Sequence, residues 1–263
     1  MARYVNKYSW ASTSVFAAVQ LVMTLFPLTI AIGGTGGYLS LDLVSAPIIG
    51  YFLGTFFGTS AVLIGSLIGI VIYPAAAVYG YFTPLAPAAA AFVAGRIKSG
   101  KLAVVPLVYI VSIVIFMIGP LGTFALSFVW FDVAALVLSL FLLIRPVRRR
   151  VEEGLNISLG GNFVEGALAV WLLVFVSVMA DHVVRSTIGA YYFLFVRFIG
   201  FPPMMIAEFY TTVIFVYPIE SVLLSVIGCL VILLAVLSVQ KTNFYQLTRA
   251  SSDSEEVIQE KTD

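Results

Sequence analysis

Apolar segments of about twenty residues recur along most of this chain, and segments of that length and character belong in a bilayer. The densest set lies between Gly33 and Gly100, where a glycine-rich loop, GGTGGYLSLD at 33–42, opens into APIIGYFLGTFFGTSAVLIGSLIG and closes on APAAAAFVAGRIKSG. The many small residues let apolar helices approach closely, around a site or against a partner. Composition agrees: 61% of the 263 residues are hydrophobic and only 10% charged, against roughly 25% charged in an ordinary soluble domain. The 14 basic and 13 acidic residues nearly balance, so there is no general basic signal for nucleic acid. The lone Cys229 sits in an apolar run and reads as a buried thiol rather than a redox or metal group.

Apolar segments fall at roughly 11–32, 43–59, 60–79, 84–98, 102–120, 123–144, 163–187 and 217–239. If all cross, there are eight spans and both termini share a side. Arg3, Lys7, Arg96, Lys98, Lys101, Arg145, Arg148, Arg149, Arg150, Lys241 and Arg249 then fall on that side, and only Arg185 and Arg197 on the other. The bias makes both termini cytoplasmic. The 84–98 segment is short for a span, and 43–59 with 60–79 forms a hairpin with almost no loop, so the expected architecture is an all-α polytopic membrane protein with six to eight transmembrane helices. Residues 1–249 make one transmembrane domain, and the polar, acidic stretch 250–263 reads as a disordered cytoplasmic tail. The aromatic segment 188–216, broken by Gly200, Pro202 and Pro203, reads as an interfacial or re-entrant excursion at the outer face. Residues 151–162 read as a polar cytoplasmic loop.

No P-loop, HExxH, CxxC or GxSxG is present, so neither enzyme activity, a cofactor nor a metal is expected of this chain. Binding candidates come from polar groups placed against the apolar background. Tyr38, in the glycine loop, offers a ring and a hydroxyl to an organic ligand, while the loop's glycines read equally as a tight connection. Asp42 stands where a helix begins and suits either that positive end or a ligand. Asp181, Arg185 and Gly189 recur every four residues and share one helix face, with His182 beside them. Ionisable groups in a membrane face a protein interior or an aqueous cavity, although Asp181 and Arg185 also suffice to neutralise each other. Glu220 follows Tyr217-Pro218-Ile219 in a helix's first turn, where it complements the helix end; Glu208 is the freer ligand candidate. Tyr73, Tyr79, Tyr81, Tyr191, Tyr192 and Tyr210 map to the outer boundary as an aromatic belt, from which one or two remain available to stack on a ligand. Thr13, Ser14, Ala17 and Ala18 give the first span small-x-x-x-small pairs for close helix contact.

The small-residue first span, GGYLSLD, APIIGYFLGTFFGTSAVLIGSLIG, AAAAFVAGRIKSGK, MADHVVRSTIGAYYF and YPIESVLLSVIG together resemble the substrate-binding S components of energy-coupling factor transporters. The resemblance covers roughly 10–101 and 163–239, and it implies capture of a vitamin or related small organic micronutrient from outside. Delivery would follow through a transmembrane coupling subunit and two ATPase subunits. It implies that Ser14 and Ala18 contact the coupling subunit, that Tyr38 covers or lines the substrate site, and that His182 and residues around Tyr191 lie near it. Asp181, Arg185 and Glu208 complete the expected substrate-binding set. Family members have six spans, whereas this chain carries an additional apolar hairpin at 102–144, within which Asp132 reads as a packing residue or a second functional group. The other functions open to such a chain are a structural or assembly subunit of a larger membrane complex and a self-sufficient secondary transporter.

Overall fold

The computed structural model describes residues 2–30, 38–155 and 162–241. Its elements, in chain order, are α1 (Ala2–Leu25), the strands β1 (Pro27–Ile30) and β2 (Tyr38–Ser40), then α2 (Asp42–Ile72), α3 (Leu85–Lys98), α4 (Val105–Ile118), α5 (Trp130–Phe141), α6 (Arg145–Leu155), α7 (Phe163–Tyr192), α8 (Pro203–Thr212) and α9 (Val216–Lys241). Helices make the bundle, as expected. Among the described residues, Phe163–Arg197 and Val216–Val239 are long and apolar enough to cross a membrane, Asp42–Ile72 is so by total length and composition, and a fourth arises if Leu126–Phe141 and Arg145–Leu155 count as one span broken at 90°. These stretches mark a membrane-associated protein.

The first span ends earlier than its apolar run suggests. Helix α1 stops at Leu25, and Pro27 opens a strand that pairs antiparallel with β2, Thr29 opposite Leu39 and Ile30 opposite Tyr38. A proline there carries no amide hydrogen to continue a helix. The glycine loop at 33–37 and the side chain of Tyr38 lie outside the described residues, as does the tail at 250–263.

Helix α2 does not run straight. At Gly54 the backbone turns to φ 74°, ψ −174°, a region essentially restricted to glycine, and the two limbs fold back on each other. A β-carbon on Gly58 would lie 2.9 Å from the Gly50 Cα, whereas eight residues in a straight helix separate by about 12 Å. Gln20 of α1 spans both limbs, accepting from Ser45 Oγ at 2.6 Å and donating to Ser66 Oγ at 3.1 Å. The loopless hairpin read from 43–79 is therefore present, with its turn at Gly54 rather than near residue 60. Gly95 of α3 seats against that turn, because a β-carbon there would meet Thr55 N at 2.4 Å.

Contacts along the chain give the remaining directions. The second limb of α2 runs parallel to α1, with Trp10 beside Phe57 and Gly69 against Thr24. Helix α3 returns beside the first limb, Ala91 meeting Gly50. Helices α4 and α7 run together: Tyr109 OH donates to Val176 O, Thr187 Oγ1 to Ser112 O at 3.0 Å, and Tyr191 OH to Ile115 O at 2.9 Å. Helix α9 descends along α7, from Tyr217 beside His182 to Cys229, whose buried thiol meets Ala167 O at 3.5 Å. Among the described residues, eight apolar helical segments thus alternate in direction, and Lys98 and α6 stand at the end opposite Arg185. Helices α4 and α5 pack into the main core through Tyr109, Phe116 and Ala135, together with Phe128 just before α5.

The stretch 151–162, expected as a loop, is helical at its start, where it continues α6 from Arg145 to Leu155. Val147, Val151 and Leu155 recur every four residues in RPVRRRVEEGL, and Val151 and Leu155 are buried. Arg148 pairs with Glu152 at 2.8 Å and Arg149 with Glu153 at 2.7 Å on its exposed side. The Lys98 amine closes its C-terminus, donating to Leu155 O at 2.8 Å.

Candidate binding chamber at the Arg185 end

Helix α7 carries Asp181, His182, Arg185, Ser186 and Gly189 toward the end of the bundle where α5, α8 and α9 also begin or lie. Arg185 Nε donates to Asp181 Oδ1 at 2.8 Å, one turn away on the same helix. Asp181 is 0% exposed and Arg185 6%, so the pair neutralises itself inside the protein. The Asp42 carboxylate, also buried at the start of α2, acts electrostatically on Arg185 as well. Leu41, with no side-chain bond, occupies the position before that helix, so Asp42 sits inside its first turn.

Asp132 answers the question its sequence position left open. It is 0% exposed, and its Oδ1 lies 3.0 Å from His182 Nδ1, fifty residues away. Paired with a carboxylate oxygen, Nδ1 donates and Nε2 is left as the other functional atom of the ring. The imidazole stacks on Tyr217 at 4.0 Å and 8°, and Tyr217 OH is fixed by donation to Phe128 O at 2.7 Å. Three helices therefore converge on His182: α5 through Asp132, α7 itself, and α9 through Tyr217.

These groups border a cavity of about 100 Å³, lined by His182, Arg185, Ser186 and Glu220 together with Tyr79, Phe128, Phe193, Phe209, Tyr210 and Tyr217. Gly189 makes room for part of that wall. A β-carbon on it would lie 2.8 Å from Tyr79 Cε1 and 2.9 Å from Tyr210 OH, so its bare face lets both rings close over α7. Tyr210 OH donates to Ser186 O at 3.1 Å. Burial pushes the Tyr79 phenol up from its ordinary value, with Arg185 pulling down and Asp181 pushing up; burial, aided by Tyr79, pushes Tyr210 well above its own. Both phenols therefore stay neutral at physiological pH and offer hydrogen bonds without adding charge. Arg185 Nη2, Asp181 Oδ2 and Asp132 Oδ2 are buried with no hydrogen-bond partner, which leaves bonding capacity beside the chamber.

The expected site residues divide accordingly. Asp181, His182 and Arg185 come together, with Asp181 behind Arg185 rather than on the wall. Tyr191 is not on that wall; its hydroxyl ties α7 to the end of α4. Glu208 is exposed on α8, immediately before the lining Phe209 and Tyr210 but not itself on the wall, and its carbonyl accepts from Thr211 and Thr212. Glu220, read as a helix-end group, lines the cavity. Ser14 and Ala18 face outward on α1, while Thr13 and Ala17 turn inward. Among the described residues no group of three or more His, Cys, Asp or Glu is placed to hold a metal ion.

Neither a family model nor a solved structure matches this chain. An uncharacterized protein of Methanocaldococcus jannaschii is 27% identical over 189 residues, which cover 72% of this chain and 58% of that protein. The chain thus spans less than two thirds of the length of that relative.

Proposed function

We propose that this protein is the solute-binding membrane subunit of an ATP-driven importer for a small organic micronutrient, non-catalytic by itself. The observation that carries the reading is the gathering of His182, Arg185 and Glu220 around an aromatic-walled cavity, at the end of the bundle away from its basic helix α6. Ionisable groups are costly in an apolar bundle and mark solute pathways. In this reading the eight alternating segments cross the membrane, both termini and α6 face the cytoplasm, and the chamber opens outward. The cavity of about 100 Å³ is smaller than the roughly 300 Å³ at which drug-sized sites begin. A vitamin-sized solute therefore enters by parting the ring contacts between Tyr79 and Tyr192 or Phe193, which join the α2–α3 connection to the end of α7. The exposed small face of α1, with Ser14 and Ala18, is where a transmembrane coupling subunit docks, and two ATPases supply the energy, as the resemblance to S components implies.

Native mass spectrometry of the mildly purified chain tests this reading. A small molecule released at about one per chain from the wild type, and lost from the R185Q and H182Q variants, is the expected result. A chain that carries no solute and copurifies stoichiometrically with unrelated membrane subunits would return the assignment to an assembly role.

One observation favours a second reading. The Asp132–His182 hydrogen bond joins two ionisable groups across two helices beside the chamber, and ionisable groups inside membrane bundles mark ion and proton pathways, as a self-sufficient proton-coupled transporter requires. Solute uptake into proteoliposomes holding this chain alone, driven by a pH gradient and abolished by H182Q, would establish that reading in place of the first.

A further inference from the structure

At the opposite end of the bundle, α6 and the start of α7 enclose a second cavity. Its volume is about 650 Å³, and its lining comes from two helix faces: Pro146, Val147, Arg150 and Val151 on α6, and Glu165, Leu168, Ala169 and Leu172 on α7. That volume lies within the range that holds organic ligands. The α7 residues follow helical spacing, so they line one stripe, and Leu172 lies roughly 10 Å beyond Glu165 along the axis. Polarity changes along that stripe, from a carboxylate at the mouth to leucines inside.

Helix α6 supplies the matching wall. It meets Leu126–Phe141 at 90° and carries Arg145, Arg148, Arg149 and Arg150 against Glu152 and Glu153, the build of a helix lying in the membrane interface. Arg148 and Arg149 are committed to Glu152 and Glu153, whereas Arg150 lines the groove and is exposed. On the facing helix, Asn162 Nδ2 donates to Glu165 Oε1 at 3.0 Å, which leaves Oε2 with acceptor capacity. The mouth therefore presents one cation and one anion above an apolar trough.

We propose that this groove is a lipid site and that its occupant is a phospholipid with an amine in its headgroup. The phosphate meets Arg150, the ammonium meets Glu165, and an acyl chain lies along Leu168, Ala169 and Leu172. Guanidinium suits phosphate because its planar donors bind two oxygens together, and basic pockets beside membrane helices hold lipid headgroups in this way. Charge complementarity separates this occupant from the alternatives: a purely anionic headgroup leaves Glu165 opposed, and a diacylglycerol leaves Arg150 unanswered. The site does not depend on what the chamber around Arg185 binds.

The full chain is reconstituted in vesicles containing equal parts phosphatidylethanolamine, phosphatidylglycerol and phosphatidylcholine with added diacylglycerol, extracted, and examined by native mass spectrometry for retained lipid. Phosphatidylethanolamine is expected at one per chain after looser lipid is stripped. Retention falls at least about tenfold in R150Q, as removal of a charged hydrogen-bond partner implies, and E165Q abolishes the preference over phosphatidylglycerol. Leu168 is 55% exposed, so L168W fills the trough without disturbing the core and also expels the lipid. Equal retention of diacylglycerol, an unchanged profile in R150Q, or a second protein chain found seated on α6 in place of lipid would overturn the proposal. Arg150 and Glu165 are both exposed, so R150Q and E165Q keep the test open even if L168W misfolds.

Discussion

Arg185 is held in the chamber wall by a carboxylate one turn away, and its energetics follow from how little water reaches either group. Removing one member of a buried ion pair strands the other and costs about 3 to 5 kcal/mol, while replacing both with apolar residues is often near neutral. R185M is therefore expected to lower the unfolding midpoint of the detergent-solubilised protein strongly, and R185M/D181L to recover most of that loss in the same thermal assay. Additive loss in the double variant would mean that the two side chains do not neutralise each other. The spacing of Asp181, Arg185 and Gly189 was legible because helical periodicity alone puts them on one face. The Asp132 partnership was not, since fifty residues separate it from His182 and no local pattern records which helices become neighbours. Which belt tyrosines line the chamber, here Tyr79 and Tyr210, was not legible for a related reason: a tyrosine near a membrane boundary looks the same whether its ring faces headgroups or a cavity.

Among the elements, the folded-back α2 depends on two glycines for different reasons. Gly54 supplies a backbone conformation that other residues adopt only at a cost of about 1 to 3 kcal/mol, and Gly95 supplies the empty space into which the turn fits. G95A forces its methyl against the Thr55 backbone and is expected to destabilise the protein by about 1 to 3 kcal/mol. Gly200, at φ 91° with nothing within 4 Å of an added β-carbon, bears only the left-handed penalty of about 1 to 2 kcal/mol. Thermal denaturation should therefore rank G95A below G200A, and the combination G54A/G95A lower still. Apolar continuity concealed which of the five glycines from Gly50 to Gly69 makes the turn, because hydropathy does not fall at a bend made within lipid-compatible sequence. Charge concealed α6 in the opposite way: four arginines and two glutamates mask the Val147, Val151, Leu155 repeat that docks it.

For the whole molecule, the alternating directions make a prediction about sidedness. In a background where Cys229 is replaced by serine, R149C on α6 and Y81C beyond the second limb of α2 should react with a membrane-impermeant maleimide from opposite faces of sealed vesicles. Both positions are about 80% exposed, so either one labels readily from its own side. Labelling of both from one side would break the alternation. The helical, apolar character of the segments was readable from the sequence, since it depends on composition along the chain. Packing partners and helix ends were not, because they depend on shape.

The unequal lengths of the segments bear on the bilayer itself. The first limb of α2 and helices α3, α4 and α5 each extend roughly 18 to 21 Å, while α7 extends roughly 45 Å. A hydrocarbon layer of about 30 Å matches neither group, so under the proposed eight-span reading lipid would be drawn thin beside the first limb of α2 and helices α3 to α5 and would find full height beside α7 and α9. In that reading the protein is a wedge of uneven hydrophobic thickness, and such mismatch would favour residence in thin membranes or beside a neighbour that covers the short flank.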